Sequence, residues 1–211
     1  LMDSINKITE YIDNNFSEKR RAHTYGVRDT AVHLAKKYGL DPFKAEVAAL
    51  LHDMFRGVAV SVLDYHVRHL GLDKKYIGNP NLSHGKIAAV MIQRDFGVED
   101  EDIINAVSFH TTGRAGMSLL EKIIYVADAI EPGRNYPGVD EIRRAAEEDI
   151  DKACLISLEH TIEYVRSDGK YLDEDTVYAK KYFEDILKQK GEKVSFEMKP
   201  DAAVDVEKIP A

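Results

Sequence analysis

The chain has 211 residues, with 29 lysines and arginines against 37 aspartates and glutamates, a formal net charge of -8 and a pI of about 5.5. That balance argues against a general nucleic-acid or membrane-surface binder, since DNA, RNA and anionic lipid all call for a basic face. Cys154 is the only cysteine, which excludes an intramolecular disulfide, and no apolar run approaches the roughly 20 residues of a membrane span. The expectation is a cytoplasmic protein with its own core.

In chain order, Asp3 or Ser4 caps a short helix to about Asn14, with Ile5, Ile8 and Ile12 inward. Ser17 caps a long helix stopped by Gly39; its stripe of Val27, Ala31, Leu34 or Ala35, and Tyr38 extends backwards to His23. Asp41-Pro42 opens a third helix, apolar on almost every side, which carries His52-Asp53 inward before Gly57 breaks it. A fourth runs from about Ser61 to Leu70. Its His66 and His69, like His33 earlier, read as surface histidines.

After the loop Gly78-Asn79-Pro80-Asn81, Ser83-His84-Gly85-Lys86 is expected to open a helix closed by Gly97. His84 would then stand in a first turn, with Lys86 close behind, where a helix N-terminus favours anions. The acidic group Glu99 to Asp102 starts a helix that carries Ile103, Ile104, Ala106 and Val107 and ends at His110. Ser118 caps the next, Leu119 to Ala129, on which Leu120, Ile124 and Asp128 share a face. The Pro- and Gly-rich loop Glu131 to Gly138 holds Arg134 near that helix's end. Packing helices follow at about Asp140 to Ala146, Asp149 to Arg166 (with Cys154 on its inner face) and Asp175 to Lys190. The organisation reads as one all-helical domain over residues 2–190, then a polar tail, 191–211, with a short alternating patch at Val194 to Met198.

Gathering the polar residues on apolar stripes or at helix ends gives His23, His52, Asp53, His84, His110 and Asp128. A buried charge is costly unless it is paired or ligates a metal. Imidazole and carboxylate without thiolate suit iron, manganese, cobalt, nickel or zinc. Six ligands exceed what one open metal needs, so two metals sharing a carboxylate are expected. Such a pair lowers the pKa of a bound water towards neutrality and stabilises charge on phosphoryl oxygens. Lys86, Arg134 and Arg56, which follow ligands closely in sequence, are the candidates for gripping phosphate.

The pattern His23, His52-Asp53, Asp128 resembles that of the HD-domain metal-dependent phosphohydrolases, which implies an all-α helical bundle. His84 and His110 occupy the places of the two further histidines of its dinuclear members. The phrases His110-Thr111-Thr112-Gly113, Leu120 to Asp128, and Ile130-Glu131-Pro132-Gly133-Arg134 through Gly138-Val139 are similar to those of the YqeK family. That resemblance, running from about His23 to Arg144, implies symmetrical hydrolysis of diadenosine tetraphosphate at a di-iron centre. It also implies Asp53 as the ligand bridging the two metals and a catalytic residue, with His23, His52 and Asp128 on one metal and His84 and His110 on the other. Lys86 and Arg134 are expected to act in catalysis and, with Arg56 and Thr111, in substrate binding. The family usually places a small residue and lysine after His-Asp, where this chain has Phe55-Arg56. The alternatives are a nucleotidase or guanosine tetraphosphate hydrolase of the same fold, or a non-catalytic nucleotide-sensing module. The guanosine tetraphosphate enzymes resemble the motif with an added acidic pair, which Met54-Phe55-Arg56-Gly57 lacks, and a sensing module would be expected to have lost ligands. The apolar face of the last helix leaves a homodimer open.

Overall fold

The computed structural model describes residues 2–191, and among them are ten α-helices, one 3-10 turn and no strand. The helices are α1 (Met2–Asn15), α2 (Glu18–Tyr38), α3 (Pro42–Leu51), α4 (Val60–His69), α5 (Pro80–Phe96), α6 (Glu101–Phe109), α7 (Leu119–Ile130), α8 (Val139–Glu148), α9 (Ile150–Ser167) and α10 (Glu174–Gln189), with the 3-10 turn at Lys74–Tyr76. The capping residues set most of these boundaries. Ser17 accepts from the Arg20 amide, and Gly39 ends α2 in the left-handed region at φ 73°. Ser118 and Glu121 form a reciprocal capping box at the start of α7, each side chain satisfying an amide that the helix cannot.

The middle of the molecule is α3, because a helix that is apolar on nearly every side must be covered on nearly every side. Ala45 and the run Val47 to Leu51 are buried, and α2, α6 and α7 pack around them. On the far side, α9 lies between α7, α8 and α10, and Cys154 is fully buried there. A smaller apolar cluster, Leu63, Val67, Tyr76, Ile87 and Met91, joins α4 and the 3-10 turn to α5. His52 and Asp53 therefore leave the inner end of the most enclosed helix.

One boundary differs from expectation in a way that matters. α5 begins at Pro80, since proline at a first helical position loses no hydrogen bond and already has helical φ. The Asn79 side chain makes no cap hydrogen bond and donates to the Lys75 carbonyl at 2.7 Å instead. His84 thus stands in the second turn, and Lys86 is remote from the helix N-terminus. The patch at Val194 to Met198 lies outside the described residues.

Candidate metal centre

Four histidines converge, each fixed in the same sense. Nδ1 of His52 lies 2.6 Å from the Ala49 carbonyl, Nδ1 of His84 3.0 Å from that of Pro80, and Nδ1 of His110 2.7 Å from that of Val107. In His23 the partner is a carboxylate, Glu131 Oε1 at 3.1 Å. Carbonyl and carboxylate oxygens only accept, so each Nδ1 must carry the hydrogen and each neutral ring presents a lone pair at Nε2. Those lone pairs face one another: His84 and His110 bring their Nε2 atoms to 3.0 Å, and the buried Nε2 atoms of His23 and His52 have no hydrogen-bond partner among the described residues. Acceptors converging in this way call for a cation, and a histidine that ligates a metal through one ring nitrogen usually donates the other N–H to such an acceptor.

Asp53 stands between the rings. Its Oδ1 is 3.2 Å from Nε2 of His84 and 3.6 Å from that of His110, whereas Oδ2 is 3.5 Å from Nε2 of both His23 and His52. Asp128 Oδ1 lies 3.2 Å from His23 Nε2 and 4.0 Å from His52 Nε2. Two sets of donor atoms lie close enough together to surround an ion: His23, His52 and Asp128, and His52, Asp53 and His110. His52 belongs to both. The donor set, nitrogen and carboxylate oxygen without sulfur, fits a borderline divalent metal.

The electrostatics mark where a cation is held: without an ion, His23 carries a second proton at Nε2, beside Asp128 Oδ1, in the place an ion would take. Burial alone would lower the pKa of His23, but Asp128, Asp53 and Glu131 outweigh it and raise the value to about 10. This end of the cluster is strongly negative. His52, fully enclosed, is driven by burial down to about 4, and burial lowers His84 as well. Burial would raise both Asp53 and Asp128, yet the imidazoles around Asp53, and Arg134 with His23 beside Asp128, hold them well below the usual carboxylate range. Such groups are charged acceptors at neutral pH.

The HD domain family matches residues 20–133, the stretch that contains all six cluster residues. The chain belongs to the HD-domain family. The HD chain is 40% identical over 166 residues to the Bacillus subtilis protein named bis(5'-nucleosyl)-tetraphosphatase, symmetrical, covering 78% of this chain and 89% of the relative. It is 38% identical to the Halalkalibacterium halodurans protein of the same name, over 87% and 98% of the two chains. A crystal structure from Clostridium acetobutylicum, described as a predicted HD superfamily hydrolase involved in NAD metabolism, superposes with a TM-score of 0.82 at 44% identity, over 86% of this chain and 97% of that one.

Above the cluster of this HD domain lies a cavity of about 550 Å³, whose wall includes Asp53, His84, His110, Asp128, Thr111, Arg20, Arg56 and Arg134. Thr111 Oγ1 is 3.2 Å from His110 Nε2. Arg134 reaches the cavity but is engaged with Asp128, donating to its carbonyl through Nε at 2.8 Å and to Oδ1 through Nη2 at 2.6 Å. The Arg56 side chain also reaches the cavity and has neither a hydrogen bond nor an ion pair among the described residues.

The placement expected for Lys86 is corrected. It does not line the cavity: its ammonium sits 3.4 Å from the centre of the Phe109 ring, and the charged groups around it are Asp175, Asp173, Lys75 and Arg114. Residues two apart on a helix project roughly 200° apart, so when His84 faces the cluster Lys86 must face away. Two residues that sequence reasoning passed over do belong here. Glu131 anchors His23, and Arg20 contacts Asp53. Glu131 looked like the first residue of a loop, and Arg20 like one more charge in the first turn of α2; the one available signal was that Arg20 lies one helical turn before His23.

Proposed function

We propose that this protein is a metal-dependent hydrolase that cleaves diadenosine tetraphosphate symmetrically, adding one water to give two molecules of ADP. The observation that carries the reading is Asp53, with one carboxylate oxygen towards His84 and His110 and the other towards His23 and His52, at the floor of an arginine-lined cavity. The substrate is that of the similarly sized relatives named above, which this chain matches over most of its length.

The donor set suits two divalent ions, iron first, with manganese, cobalt, nickel or zinc as alternatives. His23, His52 and Asp128 would hold one, His84 and His110 the other, and Asp53 would serve both. When bound, such ions supply Lewis acidity towards phosphoryl oxygens and make a water nucleophilic near neutral pH. The chain supplies the rest. Backbone carbonyls and Glu131 hold the rings in the tautomer that presents Nε2. Arg134 fixes Asp128 and adds positive charge at the cavity wall. Arg56, whose guanidinium has no hydrogen bond or ion pair among the described residues, is left to grip phosphate, a charge-assisted interaction that its planar fork favours. It takes the place where the family usually has lysine. Thr111 offers a hydroxyl beside His110 at the same wall. A nucleotide is handled here in a cytoplasmic setting, and among the described residues no helix is long and apolar enough to cross a membrane.

The test is chromatography of the products formed from diadenosine tetraphosphate, with metal content determined on the same sample. ADP as sole product is expected. Equal amounts of AMP and ATP would refute symmetrical cleavage, and no turnover by metal-loaded protein would refute the substrate.

A further inference from the structure

Three guanidiniums reach the cavity, and they differ in how far they are committed. Arg134 uses Nε and Nη2 on Asp128, and Arg56 has no partner among the described residues. Arg20 lies between these extremes. It stands in the first turn of α2, three residues before His23 and so on the same side of the helix. The Ser17 hydroxyl accepts its backbone amide at 3.3 Å, which fixes that turn. Its Nη1 donates to Asp53 Oδ2, the oxygen that faces His23 and His52. Among the described residues this is the only hydrogen bond of the side chain. A guanidinium has five N–H donors, and the Arg20 side chain, 28% exposed on the cavity wall, keeps the others for something else.

We propose that Arg20 is a positioning and phosphate-binding residue, its Nη1 fixing the rotation of the Asp53 carboxylate and its remaining N–H groups taking an oxygen of the polyphosphate in the cavity. The carboxylate must keep one orientation for its two oxygens to face two different histidine pairs. Among the described residues the Arg20 contact is the shortest that Oδ2 makes; the rings of His23 and His52 stand 3.5 Å away. The same side chain then links the floor of the cavity to its contents, which a surface ion pair could not do. The phosphate half of this inference rests on the proposed polyphosphate substrate; the positioning half does not.

The test compares the full chain with Arg20→Gln and Arg20→Lys in three measurements: Mn²⁺ affinity by chelator competition, inorganic tripolyphosphate affinity of the Mn²⁺-loaded protein by calorimetry, and kcat and KM with diadenosine tetraphosphate. Arg20→Gln is expected to weaken Mn²⁺ binding about 10- to 100-fold, the usual cost of losing an outer-shell partner. It should also weaken tripolyphosphate binding about tenfold, as for the loss of a charge-assisted hydrogen bond. Arg20→Lys keeps one charged donor but not the fork. It should recover most of the Mn²⁺ affinity, while tripolyphosphate affinity stays low and KM stays raised. Unchanged Mn²⁺ affinity in a folded Arg20→Gln protein overturns the positioning role, and unchanged tripolyphosphate affinity overturns the phosphate role. If both affinities fall as expected but the wild type does not hydrolyse diadenosine tetraphosphate, the substrate assignment fails and the inference about Arg20 stands.

Discussion

The guanidinium of Arg134 holds Asp128 at two points, the backbone carbonyl at 2.8 Å and Oδ1 at 2.6 Å. A side chain read from the sequence as a phosphate grip is therefore also the group that aims the carboxylate proposed as a metal ligand. Arg143 supports the arrangement from behind, donating to the carbonyls of Arg134, Ile130 and Glu131. Arg134→Ala should weaken divalent-metal binding about 10- to 100-fold, as is typical when an outer-shell partner is lost, and should lower kcat as well as metal occupancy. Chelator competition and steady-state kinetics on the same preparation check this. Full metal affinity with only KM raised would show that the arginine serves substrate alone.

Metal removal should carry a pH signature. His23 binds its proton with a pKa of about 10 because the pull of Asp128, Asp53 and Glu131 exceeds the burial that would lower it. The unfolded chain has the ordinary value of about 6.5. Between those two values the native chelated protein binds more protons than the unfolded chain, so the slope of stability against pH is negative there. The contribution is complete below about pH 6.5 and is lost as pH rises through about 10. The melting temperature of chelated protein is expected to fall across that window, and metal-loaded protein, in which His23 Nε2 is taken by an ion, should not show the decline. At neutral pH, a metal present at about 100 times its dissociation constant adds about 2.7 kcal/mol, or roughly 5 to 11 °C for a chain of this size. Parallel pH profiles with and without metal would sink the assignment of His23 as a ligand.

How much of this was legible in the sequence depends on the distance over which the information acts. Ser17, Asp41, Asp100, Ser118, Asp149 and Asp173 cap their helices through atoms a few residues away, and the apolar stripes fix which faces turn inward, so the helical architecture could be read locally. The six cluster residues were legible for the same reason: a histidine or carboxylate on such a stripe is out of place unless something binds it. What holds those side chains was not legible. Glu131 meets His23 across 108 positions and Arg20 meets Asp53 across 33, contacts made only when α2, α3 and α7 pack.

Lys86 shows the opposite error, proximity in sequence mistaken for proximity in space. Its ammonium lies against Phe109, with Arg114 on the same ring at 4.6 Å, and is lowered to about 8 mainly by burial. Lys86→Met keeps the stem that fills this space and removes the charge. Both kcat and KM for diadenosine tetraphosphate are expected to stay within about twofold, because changes remote from a site seldom alter it. A loss of 100-fold or more would return Lys86 to the catalytic machinery.

Gly85 offers a test of the site that leaves its polar groups in place. It adjoins His84 on α5 and faces α6, and a Cβ there would fall 2.9 Å from Cε1 and 3.1 Å from Nδ1 of His110, and 3.1 Å from the Val107 carbonyl that anchors the same ring. None of these can yield cheaply: the ring is held by that carbonyl at 2.7 Å and the carbonyl belongs to α6. Gly85→Ala favours the helix by roughly 1 kcal/mol through backbone propensity, against about 1–3 kcal/mol for overpacking a filled interior. The fold is therefore expected to survive with a modest loss of stability. The strain falls on His110, whose Nε2 must stay beside that of His84 for an ion to sit between them. Gly85→Ala should keep its helical circular dichroism yet lose one of two bound metals and most of its turnover. If metal content and kcat both match the wild type, α5 and α6 are free to move apart without consequence, and the close approach at Gly85 is packing rather than part of the site.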